Sequence, residues 1–186
     1  MKRRSAAEFD RKNPSARLLI DAQDLRASQE ALMNNFRIRG LPAKDFTPLF
    51  SMSDPQLAEF NARRVTALDG GYPCRVSLTD ATPGDSVILV NYQHHRVDSP
   101  YRSCFAIYVR EGEQTFDAIN EVPAQLRKRL LSLRGYDANG MMVAAEVVEG
   151  RQLETGIEPM LANYQIAYVH VHFAKPGCYA ALIERA

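Results

Sequence analysis

Tyr164-Gln165-Ile166-Ala167-Tyr168-Val169-His170-Val171-His172-Phe173, then Ala174-Lys175-Pro176-Gly177, then Cys178-Tyr179-Ala180-Ala181-Leu182: this stretch decides the fold. Its aromatic and β-branched residues favour extended chain, and successive side chains of a strand point to opposite faces. The four-residue connection is short enough to close an antiparallel hairpin. Symmetric closure predicts Phe173 opposite Cys178, His172 opposite Tyr179 and His170 opposite Ala181. Tyr168, His170, His172, Tyr179 and Ala181 then share one face. Ala167, Val169, Val171, Phe173, Cys178, Ala180 and Leu182 share the other, which reads as core.

Working outward, most segments read as strands. Phe36 to Arg39 alternates apolar and polar residues up to Gly40. Arg64 to Leu68 and Cys74 to Leu78 read as extended around a Gly70-Gly71-Tyr72-Pro73 turn. Thr82-Pro83-Gly84-Asp85 has the Pro-Gly order of a type II turn and introduces the apolar strand Ser86 to Tyr92. A polar loop from Gln93 to Arg102 precedes a strand from Ser103 to Arg110, and Met141 to Val148 reads as a further strand. Helical signals are fewer. Ser53 with Gln56 forms a capping box, or Asp54 caps with Pro55 in the first turn. Leu126, Leu130, Leu131 and Leu133 suggest a helix with Arg127, Lys128, Arg129 and Arg134 outside, and Leu153 to Ala162 a short one. The expectation is an α+β fold: a mainly antiparallel sheet of five to seven strands with two or three packed helices, ending in the hairpin.

Residues 35–186 are expected to form a single globular domain, with residues 1–34 an N-terminal extension, helical from an Asn13-Pro14 start or mobile. The 186-residue chain is 46% apolar and 24% charged, ordinary for a globular protein. Lys and Arg total 23 against 22 for Asp and Glu, so no global field draws in nucleic acid or an anionic membrane, and neither is expected as a partner. No apolar run nears the ~20 residues of a membrane helix. Met1-Lys2-Arg3-Arg4 starts like an export signal, but Glu8, Asp10, Arg11 and Lys12 fall where its apolar stretch should lie. Three cysteines, widely spaced and odd in number, argue against a disulfide framework and for a cytoplasmic location. Cys104 and Cys178, between apolar neighbours, read as buried and inert.

The chemistry-bearing residues gather in two islands. All four histidines lie in His94-His95 and His170-Val171-His172. His170, His172 and His94 are the candidate catalytic groups, with a histidine as proton carrier. Tyr101, Arg102, Arg110, His95 and Tyr179 are candidate ligand-binding residues, because imidazole and guanidinium together suit a small anionic, perhaps phosphorylated, molecule. Three alternatives stand beside this reading: a binding or regulatory module without turnover, a partner-binding domain whose polar residues satisfy one another, and a metal site on His170 and His172. Neutral imidazoles two apart on a strand can converge on one ion, although the sequence identifies no cofactor.

Several segments, in this order, resemble one family. They are Pro73 to Leu78 with Asp80-Ala81-Thr82-Pro83-Gly84; Tyr92-Gln93-His94 with Ser99-Pro100-Tyr101-Arg102; Tyr108-Val109-Arg110-Glu111; Arg129 to Arg134 with Tyr136-Asp137-Ala138; and His170-Val171-His172 with Gly177-Cys178-Tyr179. They resemble the bacterial domain-of-unknown-function family 1203, over about residues 35 to 186. The resemblance implies no activity, since that family has none assigned.

Overall fold

The computed structural model describes residues 35–186, so the helix expected after Asn13 lies outside the described residues. Two antiparallel sheets organise the chain. The larger has six strands in the order β5-β1-β9-β8-β6-β7: β1 (Phe36–Arg39), β5 (Asp117–Ile119), β6 (Leu130–Tyr136), β7 (Met142–Glu149), β8 (Tyr168–Phe173) and β9 (Tyr179–Arg185). The smaller has the order β2-β3-β4, with β2 (Ala62–Thr66), β3 (Ser86–His95) and β4 (Ser103–Arg110). Four α-helices accompany them among the described residues: α1 (Thr47–Phe50), α2 (Asp54–Glu59), α3 (Ala124–Arg127) and α4 (Leu153–Ala162). The fold is α+β and ends in the β8–β9 hairpin.

One face of the large sheet is a conventional core. Leu131, Leu133, Val169, Val171 and Ile183 bury against Leu153, Ile157, Met160 and Leu161 of α4. Arg185 closes the far end of that helix: its guanidinium donates to the carbonyl of Leu161 in the last turn, a group a helix end leaves without an intrahelical partner, and to those of Asn163 and Ile166 just beyond it, at 2.6–3.0 Å. A second core lies under the small sheet, where Ile88, Val90, Ile107 and Val109 meet Leu41, Phe46 and Leu57, with Tyr179 inserted from β9. Of the two starts offered for α2 the capping box holds: Ser53 is the cap with Gln56, Asp54 is the first helical residue rather than the cap, and Pro55 lies in the first turn.

Four readings are corrected. Leu130 to Tyr136 is a strand, because Leu131 and Leu133 are buried at a period of two while Ser132 and Arg134 face the other way. Strand β3 runs on to His95, so His94 and His95 stand at a strand end rather than in a loop; β2 has by then stopped pairing, and β4 alone carries the ladder past a bulge between Tyr92 and His95. The hairpin pairs Phe173 with Cys178 and His172 with Tyr179 as expected, but a bulge at Ala180 then shifts the register by one. His170 therefore faces Leu182, and Val171 faces Ala181. The bulge puts both Ala180 and Ala181 in the core, where strict alternation would put only one. Finally, Cys104 is exposed, lying on the open face of edge strand β4, while Cys74 and Cys178 are buried.

Candidate functional site

The second face of the large sheet carries a ladder of polar and aromatic side chains. Tyr136 pairs with Tyr168, Arg134 with His170 and Ser132 with His172 across β6 and β8, so all six point the same way. Tyr179 joins them from β9 opposite His172. The end of β3 lies over this ladder and brings the other histidines down onto it. Ring centroids are 5.3 Å apart for His94 and His172, and 6.1 Å for both His94–His170 and His170–His172. Tyr179 touches all three, stacking on His94 at 5.0 Å and meeting the other two edge-on.

The four histidines divide into two roles. His95 is fully committed: its Nδ1–H donates to the Tyr101 carbonyl at 2.8 Å, and its Nε2 is hydrogen-bonded to the Tyr168 hydroxyl at 2.9 Å. It ties the start of β4 to β8. His94, His170 and His172 instead each keep a buried nitrogen with no hydrogen-bond partner among the described residues: Nδ1 in His94 and His170, Nε2 in His172. For His172 the tautomer follows from geometry. Its Nδ1 lies 3.0 Å from the Gly177 carbonyl, which can only accept, so the proton is on Nδ1 and the lone pair on Nε2. Gly177 holds that carbonyl in place from a left-handed backbone (φ 78°), the conformation glycine adopts without strain.

Burial sets the charge of these rings. It lowers the His94 pKa to about 4, that of His172 to about 3 and that of His170 to about 2, with the neighbouring histidines and Arg134 pushing in the same direction. All three are therefore neutral imidazoles near pH 7. An orphaned buried nitrogen on a neutral ring is a cost in a fold that satisfies nearly all its polar atoms, and here three such rings meet. One ligand atom from each can be chosen so that all lie within 4.8 Å of one another, with no carboxylate in the group. A tetrahedral ion with bonds of about 2.05 Å places its ligands about 3.3 Å apart, so small side-chain rotations would let the three share one ion. His172 already has the second hydrogen bond that orients a ligating imidazole.

Of the residues singled out from sequence, His94, His95, His170, His172 and Tyr179 come together. Tyr101 reaches the edge of the cluster, and the two arginines stand elsewhere. Arg102 is exposed, pairs with Asp98 at 3.0 Å and donates to the Val97 carbonyl. Arg110 pairs with Asp85 and Glu113 at the opposite end of β4. The Tyr101 ring packs at 6.1 Å from Tyr136, and the residue meets His95 through its carbonyl. Arg134, Tyr136 and Ser103, whose Oγ lies 3.2 Å from His94 Nε2, belong to the site and escaped sequence reading. The Ser132-Leu133-Arg134 alternation was the available signal.

A family model described as a protein of unknown function, DUF1203, matches residues 71–185, and the chain belongs to that family. The match includes both histidine islands and starts at residue 71 rather than near 35. No curated protein and no solved structure matches the chain.

Proposed function

We propose that the protein binds one divalent transition-metal ion through His94, His170 and His172, and that a small anion occupies the position left open on that ion. The observation that carries this reading is the trio of neutral imidazoles, His170 and His172 buried and His94 half-buried, that offer one ring nitrogen each within 4.8 Å of one another. Three neutral ligands leave the full +2 charge on the ion, and Arg134, whose charge acts on all three rings, adds a further positive field. That combination favours an anion or a metal-bound hydroxide as fourth ligand, the arrangement that polarises substrates and lowers the pKa of bound water. We favour a metal over an imidazolium as the anion's partner because burial keeps the rings from holding a proton at neutral pH.

No helix among the described residues is long and apolar enough to cross a membrane. The free thiols of Cys74, Cys104 and Cys178 suit a reducing cytoplasm, which we propose as its location. Equilibrium dialysis with Zn²⁺, run on the parent and on His94→Ala, His170→Ala and His172→Ala, tests the metal reading. It predicts one ion per chain and a loss of at least tenfold in affinity for each variant; binding that survives all three substitutions would refute it.

A further inference from the structure

A deep concavity lies away from the histidines. It is a cavity of about 520 Å³ between the outer face of the small sheet, at Leu89, Ala106 and Tyr108, and the turn of the β8–β9 hairpin. Its size is within the range of small-molecule sites. Its walls are apolar and aromatic, with Phe105, Tyr108 and Phe173 prominent. Its charges are of one sign. Arg75, Lys128, Arg129 and Lys175 line it, and no carboxylate does.

The neighbouring ion pairs leave that charge largely uncompensated. Asp80 is the carboxylate that meets Arg129 at 2.7 Å and Lys128 at 3.7 Å, so four cations face one anion, an excess of three. Arg75 is buried, and among the described residues its guanidinium donates to the Tyr179 and Pro73 carbonyls and to the Cys178 sulfur; no carboxylate neutralises it. Arg75 and Arg129 both lie over the Phe173 ring, at 4.8 and 5.1 Å from its centroid, which fixes an aromatic floor beneath two cations. Phe105, 42% exposed, leaves an aromatic wall open to a ligand.

We infer that this cavity is a second ligand site, for a small molecule that combines a flat apolar body with a carboxylate, sulfonate or phosphate group. The body lies against Phe105, Tyr108 and Phe173, and the anion meets the cations at the rim. The site shares no side chain with the histidine cluster, so it does not depend on the metal reading.

The test uses 8-anilinonaphthalene-1-sulfonate, an anionic aromatic fluorophore, and N-phenyl-1-naphthylamine, which has the same apolar body without the sulfonate. Both are titrated into the metal-free full-length chain, the Lys128→Gln/Lys175→Gln variant and Ala106→Trp, after circular dichroism and thermal unfolding have shown each variant folded. Three results are expected: saturable 1:1 binding of the sulfonate, its weakening by at least fivefold in the double variant while the neutral probe changes less than twofold, and loss of both probes in Ala106→Trp. Non-saturable sulfonate binding overturns the site. Equal weakening of both probes in the lysine variant overturns its anion selectivity, and unchanged binding in Ala106→Trp places the probe elsewhere.

Discussion

Lowering the pH from 6.5 to 5.0 should destabilise the metal-free protein by an amount that His94, His170 and His172 set. Above pH 6.5 their rings are neutral in the folded and unfolded chain alike, and their ionisation contributes nothing. Below it the unfolded chain takes up protons at the ordinary histidine value of about 6.5. The folded chain does not, because burial holds His170 to about 2, His172 to about 3 and His94 to about 4. Stability therefore falls as pH falls, starting at the unfolded value and continuing until the folded rings titrate. Over this interval each ring costs about 1.6 kcal/mol, and the three together about 5 kcal/mol, a large share of the ~5–15 kcal/mol that holds a typical domain. Carboxylates do not confuse the window. Asp117 and Glu154, held low by hydrogen bonds from Arg37 and Arg127, contribute only as the pH approaches the usual carboxylate range of about 4. Urea unfolding with chelator at pH 6.5, 6.0, 5.5 and 5.0 measures the slope, and a His170→Gln/His172→Gln variant should remove most of it, leaving the share of His94. A loss below about 1 kcal/mol in the parent would mean that water reaches the rings and that they are not held neutral.

Four further outcomes follow from the geometry. Zn²⁺ at 100 times its Kd should stabilise the chain by about 2.7 kcal/mol and raise Tm by roughly 5–10 °C, with the shift lost in His172→Ala. Gly177→Ala should cost about 1 kcal/mol for its left-handed backbone and weaken metal binding about tenfold by disturbing the carbonyl that orients His172, read by denaturation and dialysis together. Arg185→Ala should lose about 2 kcal/mol in urea unfolding, since it frees the carbonyls at the end of α4. Arg134→Ala should weaken phosphate or carboxylate binding to the Zn²⁺-loaded protein about tenfold in calorimetry, whereas Arg102→Ala, already engaged with Asp98, should change it less than twofold.

The hairpin was legible because its strand alternates and its four-residue turn ends in glycine; those local rules put His170 and His172 on one face without tertiary information. The bulge at Ala180 was not legible, because small residues on either side of a register shift look alike in sequence. His94 was misplaced in a loop for a related reason. Gln93-His94-His95 is too polar to read as strand unless the aromatic ladder that receives it is known. Arg134 was missed because a leucine run with basic neighbours fits a helix period as well as a strand period over so few residues. The arginines that sequence assigns to the site, Arg102 and Arg110, are engaged by Asp98 and Asp85. Those pairings depend on which way a short loop and a strand end turn, and composition does not specify that.

X-ray absorption at the zinc edge of the Zn²⁺-loaded chain tests the central claim most directly. The account predicts three imidazole nitrogens at about 2.0–2.1 Å with one oxygen completing the shell, and a spectrum that changes when phosphate is added. Sulfur at about 2.3 Å, fewer than three imidazoles, or an unchanged spectrum in His94→Ala would contradict it.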